Sequence, residues 1–229
     1  MLSPPLLVFD LDGTLVDTAP DLIDTLNVVF ERESLPPIPY ESARKLIGGG
    51  VKAMIVRGLE AERRAVVADE VERMFADFIQ HYSAHIADRS RPFPGLEAAL
   101  DVLAERRHRL AVCTNKLEHL SLLLLRSLGL AERFAAICGQ DTFGVMKPDP
   151  AMLYQTIAAA GGERSNAVMI GDSVTDIRTA RAARIPVIAV EFGYSEKAVA
   201  EYDPDYLIDT FDRLPAAVLD LSRRRINPT

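Results

Sequence analysis

Leu6-Leu7-Val8-Phe9-Asp10-Leu11-Asp12-Gly13-Thr14 runs from four apolar residues straight into two carboxylates, a glycine and a hydroxyl. The unbroken apolar run has the length of a strand and suits one covered on both faces. Two carboxylates at the exit of a buried strand repel each other and resist desolvation. A packed domain keeps them there where a divalent cation offsets the charge. Gly13 lets the backbone turn sharply, and Thr14 adds a hydroxyl. The pattern predicts a hard metal ion with a nucleophilic carboxylate beside it. The plainer alternative is a strand followed by an Asp-Gly turn.

Working outward, short apolar runs recur at 109–113, 134–138, 167–170, 185–190 and 206–208, separated by helical patterns. Strands alternating with helices argue an α/β fold, a Rossmann-like parallel sheet with right-handed crossovers. From about residue 17 to 88 the pattern changes to helices only. Leu22, Ile23, Leu26, Val29 and Phe30 recur at helical spacing, as do Val67, Val71, Met74, Phe75, Phe78, Ile79 and Tyr82. Pro36, Pro37 and Pro39 interrupt this stretch, Gly48-Gly49-Gly50 interrupts it again, and Pro92-Phe93-Pro94-Gly95 closes it. The expected organisation is an α/β core of residues 1–16 and 92–229, with an all-helical cap domain inserted at 17–91. Two adjacent linkers, near 17–20 and 89–94, would let the insert act as a lid.

Composition narrows the function classes. The chain has 229 residues, is 48% hydrophobic and 26% charged, and carries a net charge of −7. That balance is ordinary for a globular protein and argues against nucleic acid or an anionic membrane as partner. No apolar run approaches the length of a membrane span. The first five residues carry no basic region, so no signal peptide is expected. Two cysteines, Cys113 and Cys138, make no disulfide framework, and a cytoplasmic location fits. Monomer and homodimer both stay open.

In parallel sheets, ligands bind beyond the carboxyl ends of the strands. Those ends carry Asp10 and Asp12, then Thr114-Asn115-Lys116, then Lys147-Pro148-Asp149-Pro150 in a loop, then Gly171-Asp172-Ser173 with Asp176. Carboxylates, a hydroxyl, an amide and an ammonium on one rim make a phosphoryl-transfer toolkit. Each piece alone has a structural reading: Thr114-Asn115 or Asp172 could merely cap the helix that follows. His81 and His85, one turn apart, read as a helix face rather than as a metal site.

These motifs resemble the haloacid dehalogenase (HAD) superfamily of phosphohydrolases. Asp10-Leu11-Asp12-Gly13-Thr14 is similar to its first motif, Thr114-Asn115 to its second, Lys147 to its third, and Gly171-Asp172-Ser173-Val174-Thr175-Asp176 to its fourth. The helical insert resembles the family's smaller cap. Finer stretches resemble the phosphoglycolate phosphatase subgroup, among them 15–22, Ile47-Gly48-Gly49-Gly50 and Phe192-Gly193-Tyr194. The Gly48-Gly49-Gly50 loop departs from the pattern in lacking the Asn common there, and two single positions depart as well. Arg184 stands where Gly is common, which predicts a strained left-handed residue, and Leu117 stands where Pro is usual.

The resemblance implies a Mg2+-dependent phosphomonoester hydrolase acting through an aspartyl-phosphate. Asp10 would be nucleophile and Asp12 general acid and base. Thr114, Asn115 and Lys147 would hold the phosphate, Thr114 and Asn115 from a helix N-terminus. Mg2+ would bind Asp10, the Asp12 carbonyl and Asp172, with Asp176 behind them holding Lys147 or a water. Dehalogenases lack a carboxylate at the position of Asp12, which favours a phosphatase. The expected substrate is a small phosphomonoester, 2-phosphoglycolate first, recognised by Gly48, Gly49, Gly50, Lys52 and Arg57. Sugar phosphates, nucleotides and pyrophosphate are alternatives. A mutase is a further alternative, and different classes are a phosphoacceptor signalling domain and a purely structural module.

Overall fold

A computed structural model describes residues 4–195 and 197–226; residues 1–3, part of the stretch read for a leader, lie outside it. The chain runs β1 (Leu6–Phe9), β2 (Val16–Asp17), α1 (Ala19–Arg32), α2 (Tyr40–Arg44), α3 (Val51–Ala61), α4 (Ala68–Ala84), β3 (Arg91–Pro92), α5 (Leu96–Glu105), β4 (Leu110–Cys113) and α6 (Glu118–Ser127). It continues through β5 (Ala136–Cys138), α7 (Pro150–Ala159), β6 (Ala167–Gly171), α8 (Val174–Ala183), β7 (Val187–Val190), β8 (Tyr206–Ile208) and α9 (Leu214–Ile226). Among the described residues, no helix is long and apolar enough to cross a membrane.

Six strands form one parallel sheet in the order β5-β4-β1-β6-β7-β8. β1 pairs with both β4 and β6, Leu7 opposite Leu110 on one side and Val168 on the other. The chain leaves β1 for β4 and β5 on one side, then crosses to β6, β7 and β8 on the other. The loop after β1 therefore opens at the switch point, where the crevice forms. Side chains alternate along β1. Leu7 and Phe9 enter a core that includes Phe30, Phe78 and Tyr82 of the insert, while Leu6 and Val8 join Met152, Leu153 and Ile177 on the opposite face. Both faces are covered, which is why the strand reads as unbroken apolar sequence. Cys113 and Cys138 lie opposite each other on β4 and β5, both buried and free.

The apolar runs overshoot their strands at the amino end. Pro186 has no N–H for the ladder, so β7 starts at Val187. A 3-10 turn at Ala131–Arg133 delays β5 to Ala136. Helices α1 to α4 form the cap region, but the helices-only reading missed one element. Val16–Asp17 pairs antiparallel with Arg91–Pro92, so the two linkers meet as a short ribbon. Two-residue strands carry no periodicity to read. Arg184 ends α8 in the left-handed region, at φ 57 and ψ 39. Leu117 has φ −62, the value proline would impose.

Candidate active site

The ladder of β1 continues one residue past its end, where the Asp10 N–H donates to the Ile170 carbonyl at 2.9 Å. The chain then turns at Gly13, whose φ is +81. A Cβ there would stand 2.5 Å from Asp172 Oδ2, so Gly13 serves both the turn and the close approach of two strand ends. Asp10, Asp172 and Asp176 converge at this edge, each offering one carboxylate oxygen within 4.8 Å of the others.

Each acid is held. Asp172 accepts from Thr14 Oγ1 at 2.9 Å and from the Tyr194 N–H at 2.8 Å. Asp176 Oδ2 accepts from Ser173 Oγ at 2.6 Å and from the Ser173 N–H at 3.1 Å, closing a capping box at the start of α8. Lys147 Nζ lies 2.9 Å from Asp10 Oδ1 and 2.6 Å from Asp176 Oδ1. The Asn115 side chain grips the Lys147 backbone from both sides. Its Nδ2 donates to the carbonyl at 3.0 Å, and its Oδ1 accepts from the N–H at 2.9 Å.

Burial works against charge here. It raises the Asp10 carboxyl to about 8, helped by Asp176 and Asp172 and opposed by Lys147. Asp172 is raised to about 7, by burial first and by Asp176 next. Burial also opposes the Lys147 charge, but Asp10 and Asp176 outweigh it and hold the ammonium protonated. Three buried carboxylates beside one ammonium leave an excess of negative charge among hard oxygen donors. That donor set fits a divalent cation. Among the described residues, it is the one cluster of three metal-capable side chains.

Asp12 turns away from this cluster. Its Oδ1 accepts from Thr18 Oγ1 at 2.8 Å, and Lys116 Nζ stands 3.0 Å from it. A cavity of about 490 Å3 opens between the sheet edge and the cap, bordered by Asp10, Asp12, Thr114 and Asp172 below and by Gly48, Gly49, Gly50 and Arg57 above. Gly50 directly precedes α3, and Arg57 Nη1 donates to the Leu46 and Gly48 carbonyls, each at 2.9 Å. Lys52 points elsewhere: it pairs with Glu72 at 2.5 Å, half-exposed, and does not line the cavity. Thr114 and Asn115 do not sit at a helix terminus, because α6 begins at Glu118. Thr114 Oγ1 instead accepts from the Lys116 N–H at 3.2 Å. Asp172 does not cap α8; Ser173 does. His81 and His85 stack with ring centres 4.4 Å apart, and His85 pairs with Asp88.

Three residues at this edge gave no local signal of their role. Tyr194 donates its hydroxyl to Asp17 at 2.6 Å and accepts from the Ala19 N–H at 2.9 Å, tying the loop after β7 to the first linker. Lys116 is buried against Asp12. Tyr82, fully buried on α4, accepts from Lys116 Nζ at 2.9 Å.

Comparison with known proteins fits this geometry. The family model described as haloacid dehalogenase-like hydrolase matches residues 7–190. The chain is 45% identical over 225 residues, 98% of each chain, to a phosphoglycolate phosphatase of Mesorhizobium japonicum. It is 42% identical to a phosphoglycolate phosphatase of Agrobacterium fabrum, over 94% of this chain and 93% of that one. A crystal structure from Haemophilus somnus, described as a predicted phosphoglycolate phosphatase, superposes with a TM-score of 0.87 at 26% identity, covering 95% of this chain and 99% of that chain.

Proposed function

The chain belongs to the haloacid dehalogenase-like hydrolase family, and on that premise we propose that it is a Mg2+-dependent phosphatase whose substrate is 2-phosphoglycolate. The observation that carries the chemistry is the convergence of Asp10, Asp172 and Asp176 around Lys147 at the carboxyl edge of the sheet. The substrate assignment is supported by the names of the relatives at 45% and 42% identity. Residues 17–91 serve as the cap in this reading, and the remainder as the catalytic core.

Asp10 and Asp172 would hold Mg2+ through their carboxylates and Asp12 through its backbone carbonyl, with Asp176 behind them fixing Lys147. Bound there, Mg2+ would offset the carboxylate and phosphate charge and polarise the phosphoryl group. An Asp10 carboxylate oxygen attacks phosphorus, the ester P–O bond breaks, and Asp12 gives its proton to the departing alkoxide. Water then attacks the aspartyl-phosphate. Asp12 takes the proton, the bond from phosphorus to Asp10 breaks, and inorganic phosphate leaves. Thr114, the Asn115 N–H and Lys147 bind the phosphate oxygens; Lys147, fixed by Asn115 and Asp176, matches the negative charge of the phosphoryl group. Arg57 and the Gly48–50 loop face the substrate carboxylate from the cap. Lys52, engaged with Glu72, has no part in it.

A phosphate-release assay with Mg2+ and with EDTA, across phosphoglycolate, sugar phosphates and nucleotides, tests this. The expected result is turnover that needs the cation, is fastest on phosphoglycolate, and vanishes in Asp10→Asn while the circular dichroism spectrum stays unchanged. Turnover that survives either the chelator or that substitution refutes the mechanism. A faster sugar phosphate or nucleotide refutes the substrate.

A further inference from the structure

Lys116 has no place in the chemistry above, yet it is one of the most enclosed cations near the site, its side chain 4% exposed. A buried ammonium needs partners for its donors. Lys116 finds them in two different parts of the molecule. Asp12 Oδ1 and Oδ2 lie 3.0 and 3.2 Å from Nζ, and Tyr82 Oη lies 2.9 Å away. Nζ also stands 4.5 Å from the Tyr82 ring centre, within range of the ring face. Tyr82 is in the last turn of α4, fully buried in the cap's own packing beside Phe78. Lys116 belongs to the loop after β4, in the core. One ammonium thus spans from a cap helix to a carboxylate at the end of β1.

We propose that Lys116 is the positioning residue of the acid–base carboxylate Asp12, and that Tyr82 makes this positioning depend on the seating of the cap. The inference rests on the acid–base role given to Asp12 above. The carboxylate has a second tether, Thr18 Oγ1 at 2.8 Å, from the residue that opens α1. A single hydroxyl leaves the carboxylate free to rotate about that bond. The ammonium, touching both oxygens, fixes the plane. The Tyr82 hydroxyl fixes the ammonium in turn, so displacing α4 takes away the group that orients Asp12. Cap closure and readiness for proton transfer become one event, which keeps the acid–base group out of register when the site is open to water.

A positioning role acts only through Asp12, and this separates it from a structural one. The holoenzyme with Mg2+ is assayed on aryl and alkyl phosphates that carry no carboxylate and span a range of leaving-group basicity. The parameter kcat/KM covers only the steps through leaving-group departure, where the acid acts. In Lys116→Met, kcat/KM should fall on the order of 100-fold for alkyl esters and only a few-fold for p-nitrophenyl phosphate, whose leaving group needs little proton assistance. Tyr82→Phe keeps the ring and should show the same tilt at roughly one tenth the size, and Lys116→Arg should restore part of the loss. In an Asp12→Asn background, Lys116→Met should cost less than about twofold further, because its effect has already been removed. That cycle stays informative if single variants lose stability. Equal losses across all leaving groups, a shallower dependence, or additive losses in the Asp12→Asn background would overturn the inference while leaving the phosphatase reading intact. A wild-type protein that hydrolyses no phosphomonoester would overturn both.

Discussion

Asp10, Asp172 and Asp176 would repel one another if all three were charged with only Lys147 among them. Their arrangement is tolerable because each carboxylate has two donors close by: Thr14 and Tyr194 on Asp172, Ser173 and Lys147 on Asp176, and Lys147 with the Leu11 N–H on Oδ1 of Asp10. These bonds hold each side chain in place, while burial still raises the Asp10 and Asp172 carboxyls and leaves their charge for a cation to offset. The cap side differs. Arg57 donates to two loop carbonyls that are exposed to solvent, and it retains donors able to meet a second anion. Replacing Arg57 with alanine should therefore raise KM for phosphoglycolate roughly 10-fold, with little change in KM for p-nitrophenyl phosphate, which has no carboxylate. Steady-state kinetics on the two substrates decide it, and equal increases would assign Arg57 to shaping the loop alone.

The cap hangs from paired linkers, and Asp21 holds them together. It sits in the first turn of α1, fully enclosed, and its carboxylate accepts from the Arg89 N–H at 2.9 Å, the Ser90 N–H at 2.7 Å and Ser90 Oγ at 2.6 Å. With the β2–β3 ribbon beside it, this joins the outgoing linker to the incoming one. Asp21→Ala would orphan three donors, two of them on Ser90, which is itself buried. It should destabilise the protein by about 2–4 kcal/mol in urea unfolding and open the second linker to limited proteolysis. A loss below about 0.5 kcal/mol would place the linker pairing in the ribbon alone. None of this is visible in the sequence, because Asp21 meets partners 68 and 69 residues away through its side chain. The strands were legible for the opposite reason: a sheet covered on both faces writes itself as unbroken apolar runs, and a parallel sheet puts the functional ends on one rim. Asp10, Asp12, Thr114, Lys147 and Asp172 could be picked out because each follows a strand or sits in the loop after one. Lys116, Tyr82 and Tyr194 could not be given roles, because theirs depend on contacts between cap and core.

At the scale of the whole molecule, a chain of net charge −7 sets a strongly acidic cluster at the floor of a cavity meant for an anion. The two fit together only when a cation reverses the local sign, so cation binding, protonation and stability are linked. Without the cation, folded Asp10 and Asp172 keep their protons up to about 8 and about 7, whereas unfolded aspartates release theirs near the ordinary 3.8. The folded form then binds more protons than the unfolded one between these limits. The stability these groups contribute is fully present below about pH 4 and is lost as pH rises toward 8. A divalent cation takes the place of those protons and removes the loss. The EDTA-treated protein should therefore melt at lower temperature as pH is raised from 5 to 8. Added Mg2+ should raise Tm more at pH 8 than at pH 5, with a difference of at least about 2–4 °C, as expected for ~1 kcal/mol in a chain of this size. Thermal unfolding at the two pH values, with chelator and with Mg2+, measures it. A larger Mg2+ effect at pH 5 would mean that the carboxylates are already charged in the cation-free fold, and that Lys147 and the surrounding donors offset their burial unaided.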